Sequence, residues 1–224
     1  MTDGPRAVVF DFSGTLFGRL PGHGWLFDEQ SPLDEGRRAR VVHALRHPAE
    51  FVARMSPGRR RDWADRDVSS KANHRAYAEL FRLAGLEDAE FPEVYDRLIT
   101  PRTWHPYEDT LPVLERLRRA EVHVGVLSNI SWDIREAFAR HGLGRYVAQY
   151  VLSYEEGASK PDVALFWLAA QRLGVPPGQC LMVGDDSECD GAAARAGMAY
   201  AEVATGPVGV REPVLVDALA RHGL

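Results

Sequence analysis

A few polar residues in this 224-residue chain stand immediately after short apolar runs, where their chemistry can be brought to bear. Asp11, closely followed by Gly14, ends the run Ala7–Phe10. Ser128 and Asn129 end Val122–Leu127, and Asp185 and Asp186 follow Cys180–Val183 across Gly184. Lys160 stands just ahead of a helical pattern opening at Pro161. Apolar runs this short and this rich in Val read as strands buried on both faces, as in a parallel sheet. In such sheets ligands sit beyond the carboxyl ends of the strands, so the polar residues face one edge. Carboxylates gathered there repel one another unless a divalent cation lies between them. An oxygen-only shell suits Mg²⁺, which takes one or two carboxylates together with phosphate oxygens and water. The Ser128 hydroxyl, the Asn129 amide, the Lys160 ammonium and free N–H groups around Gly14 and Thr15 complement phosphate oxygens. Asp11 is then free to attack as a nucleophile and form an aspartyl-phosphate, with Lys160 offsetting the charge crowding phosphorus.

The elements that must position these residues follow from periodicity. Helical spacing over Thr110–Arg119, Ile134–Arg140, Val163–Ala169, Ala192–Gly197 and Val214–Ala220 alternates with strands at Val122–Leu127, Tyr150–Leu152, Cys180–Val183 and Ala199–Val203. Gly142 is placed to stop a helix in the left-handed conformation, and Pro161 to occupy a first helical position. From Leu16 to about Thr103 helical spacing takes over, broken into short helices by Pro32, Pro48, Pro57 and Pro92, with no β-alternation. The expected fold is α/β: a Rossmann-like, doubly wound parallel sheet from residues 1–18 and 104–224, with an inserted α-helical cap at 19–103.

Composition narrows the function classes. A net charge of −5 gives no reason to expect nucleic acid as a partner. Cys180 and Cys189 form neither a disulfide framework nor a zinc set and read as inert thiols. No apolar run reaches membrane-spanning length, and Met1–Arg6 lacks a signal-peptide apolar region, so a cytoplasmic address with no membrane partner is expected. The expected partner is a small phosphorylated molecule, met by a monomer or homodimer.

Asp11-Phe12-Ser13-Gly14-Thr15, Ser128-Asn129, Lys160-Pro161 and Gly184-Asp185-Asp186-Ser187-Glu188-Cys189-Asp190 resemble, in order, the four motifs of the haloacid dehalogenase-like hydrolase superfamily. The resemblance covers Ala7–Leu16 and Pro106–Val203, and the insertion looks like the helical cap of the subgroup containing small-molecule phosphatases and dehalogenases. It implies Asp11 as nucleophile, with Ser128 and Lys160 holding the transferring group. It also implies Mg²⁺ bound by Asp11, the Ser13 carbonyl, Asp185 and Asp186, with Asp190 orienting the loop behind them.

One position departs from that pattern. Phosphatases of the family carry a second Asp two residues after the nucleophile as general acid and base, and here it is Ser13. A serine hydroxyl titrates too high to shuttle protons at neutral pH. Three readings stay open: a phosphatase drawing its acid from the cap or needing none, a phosphonate-cleaving enzyme with a cap lysine such as Lys71, or a regulatory protein that binds without turnover. Halide displacement fits less well. That branch has an aromatic hydroxyl where Ser13 stands, lacks an acidic pair, and places a tyrosine where Phe166 stands. Among weaker signals, His43 and His47 read as solvated histidines, and Arg37-Arg38 and Arg59-Arg60-Arg61 as solvated faces. Arg19 and His23 are the expected cap-side substrate contacts, and Trp25, Trp63 and Trp104 the expected packing residues.

Overall fold

The computed structural model describes residues 4–27 and 31–224, so Met1–Asp3 of the N-terminal segment read above lies outside the described residues. The first strand, β1 (Ala7–Phe10), leads into a short antiparallel ribbon of β2 (Phe17–Gly18) and β3 (His105–Pro106). Then follow β4 (His123–Ser128), β5 (Gln149–Leu152), β6 (Cys180–Gly184) and β7 (Ala199–Glu202). With β1 they make a five-stranded parallel sheet in the order β5-β4-β1-β6-β7, an α/β Rossmann-like arrangement with β1 at the centre.

All four residues of β1 are buried because its alternating side chains serve two cores. Val8 and Phe10 pack with Val113 and Leu117 of α6 (Thr110–Arg119), Phe138 of α7 (Arg135–Arg140) and Leu215 of α10 (Leu215–Ala220). Ala7 and Val9 point the other way, against Leu165 and Ala169 of α9 (Val163–Leu173), which follows the one-turn α8 (Ser153–Glu156), and against Ala193 of a 3₁₀ helix, Asp190–Ala196.

Between β2 and β3 lie α1 (Glu35–Arg46), α2 (Pro48–Val52), α3 (Pro57–Ala64), α4 (Ser70–Leu83) and α5 (Phe91–Ile99). Their starts are locally encoded. Asp34, Ser56 and Ser69 accept the N–H of Arg37, Arg59 and Ala72, satisfying donors that a helix start leaves open. The insertion buries a core of its own around Leu26, Val41, Leu80, Phe81 and Tyr95.

Three details differ from the sequence expectation. The β2–β3 ribbon borders the helical insertion although no strand was expected there, because two-residue strands are too short to show alternation. The segment near Ala192 winds as a 3₁₀ helix rather than an α-helix. Pro161 precedes α9 instead of opening it: Asp162 is the cap, accepting from Ala164 N, and Val163 is the first helical residue. Gly142 takes positive φ as expected.

Phe138, fully buried, ties the sheet core to the loop after β1, with its ring centroid 5.9 Å from Phe12 and 4.8 Å from Phe17. Phe138→Ala is therefore expected to cost about 3–5 kcal/mol in urea denaturation; a loss no larger than that of an exposed-site control would remove this ring from the core.

Candidate active site

Register alone brings the polar residues to one edge. Phe10 pairs with Val126 on one side and Val183 on the other, and Asp11 N donates to Val183 O at 2.9 Å. Asp11, Ser128 and Asp185 therefore emerge side by side, at the point where strand order reverses. Carboxylate oxygens of Asp11, Asp185 and Asp190 lie within 4.8 Å of one another. The Lys160 ammonium stands among them. Its Nζ donates to Asp11 Oδ1 at 2.7 Å, to Asp190 Oδ1 at 2.6 Å and to the Leu127 carbonyl at 3.0 Å, using all three protons.

Both partners of that ammonium are buried, Asp11 with 7 % and Asp190 with 1 % of its surface exposed. Burial opposes the charge on Lys160, yet Asp11 and Asp190 hold it above the ordinary ammonium range. Burial pushes Asp11 above the usual carboxylate range; Lys160 pulls it back, and Asp190 and Asp185 add to the push. Asp185 is pushed up to about 6 by burial and by Asp190, against a hydrogen bond from Thr15 Oγ1 at 3.2 Å. Three carboxylates facing one ammonium make a site that attracts a further cation, and its donors are all oxygen.

The other expected site residues take varied places. Asn129 clasps the backbone of Lys160, with Oδ1 accepting from Lys160 N at 2.7 Å and Nδ2 donating to Lys160 O at 2.9 Å. Its amide thus holds the lysine in place. Ser128, buried, lines a cavity of about 160 Å³ together with Asp11, Lys160 and Asp185. Gly14 has φ +84°, and a Cβ there would run into the Asp185 carboxylate, so only glycine fits. Its N–H is donated to Phe17 O at 2.8 Å and is not one of the free donors expected around Gly14. Thr15 is buried and braces Asp185. Asp186 is exposed; its Oδ1 accepts from Glu188 N and Cys189 N at 2.9 and 3.0 Å, bonds that outweigh burial and hold its pKa down. Asp190 is the third member of the acidic trio, and its Oδ2 also accepts from Asp186 N at 3.1 Å.

Ser13 is exposed and borders both this cavity and a larger one of about 290 Å³ that runs under the helical insertion. Arg19 lines the larger cavity, its guanidinium 4.6 Å from the Trp25 ring and 3.7 Å from Trp104. His23 instead pairs with Glu35. His43 meets Glu50, Arg37 meets Glu90, and Arg59 meets Asp62. Among the described residues, the acidic trio is the one group of three metal-ligating side chains. Lys71 is exposed and lines neither cavity, and Phe166 is buried in the sheet core. The Cys180 thiol is pushed up to about 11 by burial, in keeping with an inert residue.

Sequence reading missed a buried pair behind the site. Arg211 donates from Nη2 to Asp109 Oδ1 at 2.6 Å and from Nη1 to the carbonyls of Thr15 at 3.0 Å and Gly14 at 3.3 Å. Asp109 Oδ2 accepts from Val214 N and Leu215 N, capping α10. The pair locks the C-terminal segment to the loop after Asp11. Asp109 before Thr110 carries a faint capping signal; Arg211, in a loop without periodicity, carries none.

The sequence model for the family described as haloacid dehalogenase-like hydrolase matches residues 5–197. A glyceraldehyde 3-phosphate phosphatase of Methanopyrus kandleri is 36% identical over 111 residues, 48% of this chain and 47% of that protein. The chain thus spans about half the length of that relative. A ribulose-1,5-bisphosphate 5-phosphatase of Halopiger xanaduensis is 28% identical over 200 residues, covering 85% of this chain and 80% of that one. The L-2-haloacid dehalogenase of Xanthobacter autotrophicus shares the fold, with a TM-score of 0.66 at 23% identity over 89% of this chain and 77% of its own.

Arg211 lies beyond the matched residues. Arg211→Met strands the buried Asp109 carboxylate and releases the Gly14 and Thr15 carbonyls. A loss of about 3 kcal/mol in chemical denaturation is expected; an unchanged midpoint would show that this tie is dispensable.

Proposed function

Since the chain belongs to the haloacid dehalogenase-like hydrolase family, we propose that it is a Mg²⁺-dependent phosphatase of a small phosphorylated metabolite, working through an aspartyl-phosphate on Asp11. The observation that carries this reading is the trio of carboxylates facing a single ammonium at the strand-end crevice. Displacement of halide by a lone Asp–Lys pair would give no reason for two more acidic groups there. The curated relatives named as phosphatases support the same reaction class.

The donor set fits a hard, oxygen-seeking cation. Asp11, Asp185 and the Ser13 carbonyl would hold Mg²⁺, with Asp186 and Asp190 fixing the loop that carries Asp185. Bound there, it would neutralise charge on the phosphate oxygens. The chain's own groups do the rest. Lys160 holds one oxygen of Asp11, leaving the other to attack phosphorus. Ser128 lines the small cavity and donates its hydroxyl to the phosphoryl group, while the Lys160 charge offsets the build-up on its oxygens. Water then hydrolyses the aspartyl-phosphate and frees Asp11. The helical insertion acts as a cap, forming the far wall of the larger cavity, which takes the rest of the substrate.

Two measurements test this reading. Asp185 is held in the folded chain with a pKa of about 6 against an ordinary 3.8. The metal-free fold therefore binds extra protons between these values and loses stability as pH rises through them. Protons compete with the metal in that window, so saturating MgCl₂ is expected to raise Tm little at pH 5 and clearly at pH 7.5. Equal shifts at the two pH values would exclude Asp185 as a metal ligand. Phosphate release from p-nitrophenyl phosphate is expected to need Mg²⁺, to stop with EDTA, and to fall at least about 1,000-fold in Asp11→Asn. Chelator-insensitive chloride release from a 2-haloacid, with no phosphate release, would overturn the assignment.

A further inference from the structure

Resting on the phosphatase reading, we propose that Asp67, from the turn between α3 and α4, is the catalytic acid and base that Ser13 cannot be. A phosphoryl group on Asp11 occupies the small cavity, and Ser13 and Asn129 form the wall it shares with the larger one. The ester oxygen therefore departs across Ser13 into the larger cavity, where an alkoxide needs a proton.

That cavity is walled largely by apolar and aromatic side chains, among them Trp25, Trp104 and Trp132. Among its described lining residues Asp67 is the sole carboxyl group. The other ionisable side chains lining it are Tyr77, pushed up by burial, and Arg19, pulled down by burial to about 9. Neither exchanges a proton readily at neutral pH. Asp67 retains 24% of its side-chain surface, enough for a ligand to reach it, and meets Arg66 at 3.3 Å. Burial raises its pKa against the pull of Arg66 and Lys160, so the protonated form persists closer to neutrality than for a solvated carboxyl.

The turn that carries Asp67 is docked onto the strand-end loops. Ser153 Oγ donates to the Asp67 carbonyl at 2.5 Å and accepts from Ile130 N at 2.8 Å. Ser70 Oγ donates to Ser131 O at 2.7 Å. Within the insertion, Asn73 Nδ2 donates to Arg66 O at 3.0 Å, and the Tyr95 hydroxyl donates to Asn73 Oδ1 at 2.8 Å. The backbone that carries the carboxyl is thus tied both to the loops after β4 and β5 and to the body of the insertion.

The chemistry balances over two steps. Asp11 forms a bond to phosphorus as the bond to the ester oxygen breaks, and that oxygen takes the Asp67 proton and leaves as an alcohol. Asp67, now a carboxylate, takes a proton from water while the water oxygen attacks phosphorus. The Asp11–phosphorus bond breaks with its electrons returning to Asp11, phosphate departs, and Asp67 is protonated again.

The test compares wild type with Asp67→Asn on two esters, p-nitrophenyl phosphate and 2-phenylethyl phosphate. The first leaving group needs no proton; the second does. A fall in kcat/KM, which reports the transfer to Asp11 and leaves out the later hydrolysis common to both esters, of at least about 100-fold on the alkyl ester against less than about tenfold on the aryl ester is expected. Asp67→Glu should recover part of the alkyl-ester rate. Equal losses on both esters, or no loss on either, would overturn the role of Asp67. Wild type inactive on both esters would instead sink the phosphatase reading itself. If Asp67→Asn does not fold, Asp67→Ser carries the same comparison.

Discussion

The Lys160 ammonium, wedged between Asp11 and Asp190 in the interior, is the contact on which the site depends. Buried carboxylates so close together would repel one another strongly, and a positive charge with every proton hydrogen-bonded makes the arrangement tolerable. That requirement reaches outward. The Leu127 carbonyl, one residue before the end of β4, accepts one of the ammonium's hydrogen bonds, and Asn129 clasps the lysine backbone. Gly184 has no side chain because a Cβ there would collide with the Asp190 carboxyl.

A single ammonium still leaves the crevice electronegative. Asp185 and Asp11 respond by holding their protons more tightly than free carboxylates do. Proton retention and cation attraction are two expressions of the same field, which explains why a metal-binding reading and a raised pKa arise at the same residues. Behind the site, Arg211 performs a similar service. Its guanidinium lies 3.4 Å from the Tyr107 ring centre and grips the carbonyls of Gly14 and Thr15, so the loop after Asp11 is clamped by the far end of the chain.

The two cavities divide the labour. The small one gathers charge and hydrogen-bonding groups; the larger one sets Trp25, Trp104 and Trp132 beside scattered polar side chains, and more than half of its wall comes from the helical insertion. Because the insertion carries its own core, its cavity-facing residues can change without disturbing the sheet that holds Asp11. Ser13 sits where the two cavities meet, and its exposure and small size keep the passage between them open.

Periodicity made the sheet, its flanking helices and the inserted helical segment legible, because burial on one or two faces writes a period of 3.6 or 2 directly into the order of apolar residues. The strand-end rule then placed Asp11, Ser128, Lys160 and Asp185 at one edge without coordinates. Local chemistry read less well where a side chain's partner is distant. Asn129 offers the same amide to a phosphate or to the Lys160 backbone, and only the packed loops select the latter. Asp186 and Asp190 are both acids in one loop, and the turn decides that Asp190 points inward while Asp186 caps its neighbours. Arg211 and Asp67 bear no sequence signal, since each draws its meaning from groups more than 80 residues away. The amino-acid order by itself determined which chemical groups arrive at the sheet edge, because alternation and strand polarity are local properties. The tertiary structure decided which of them face one another, because charge pairing and enclosure depend on contacts that no local pattern encodes.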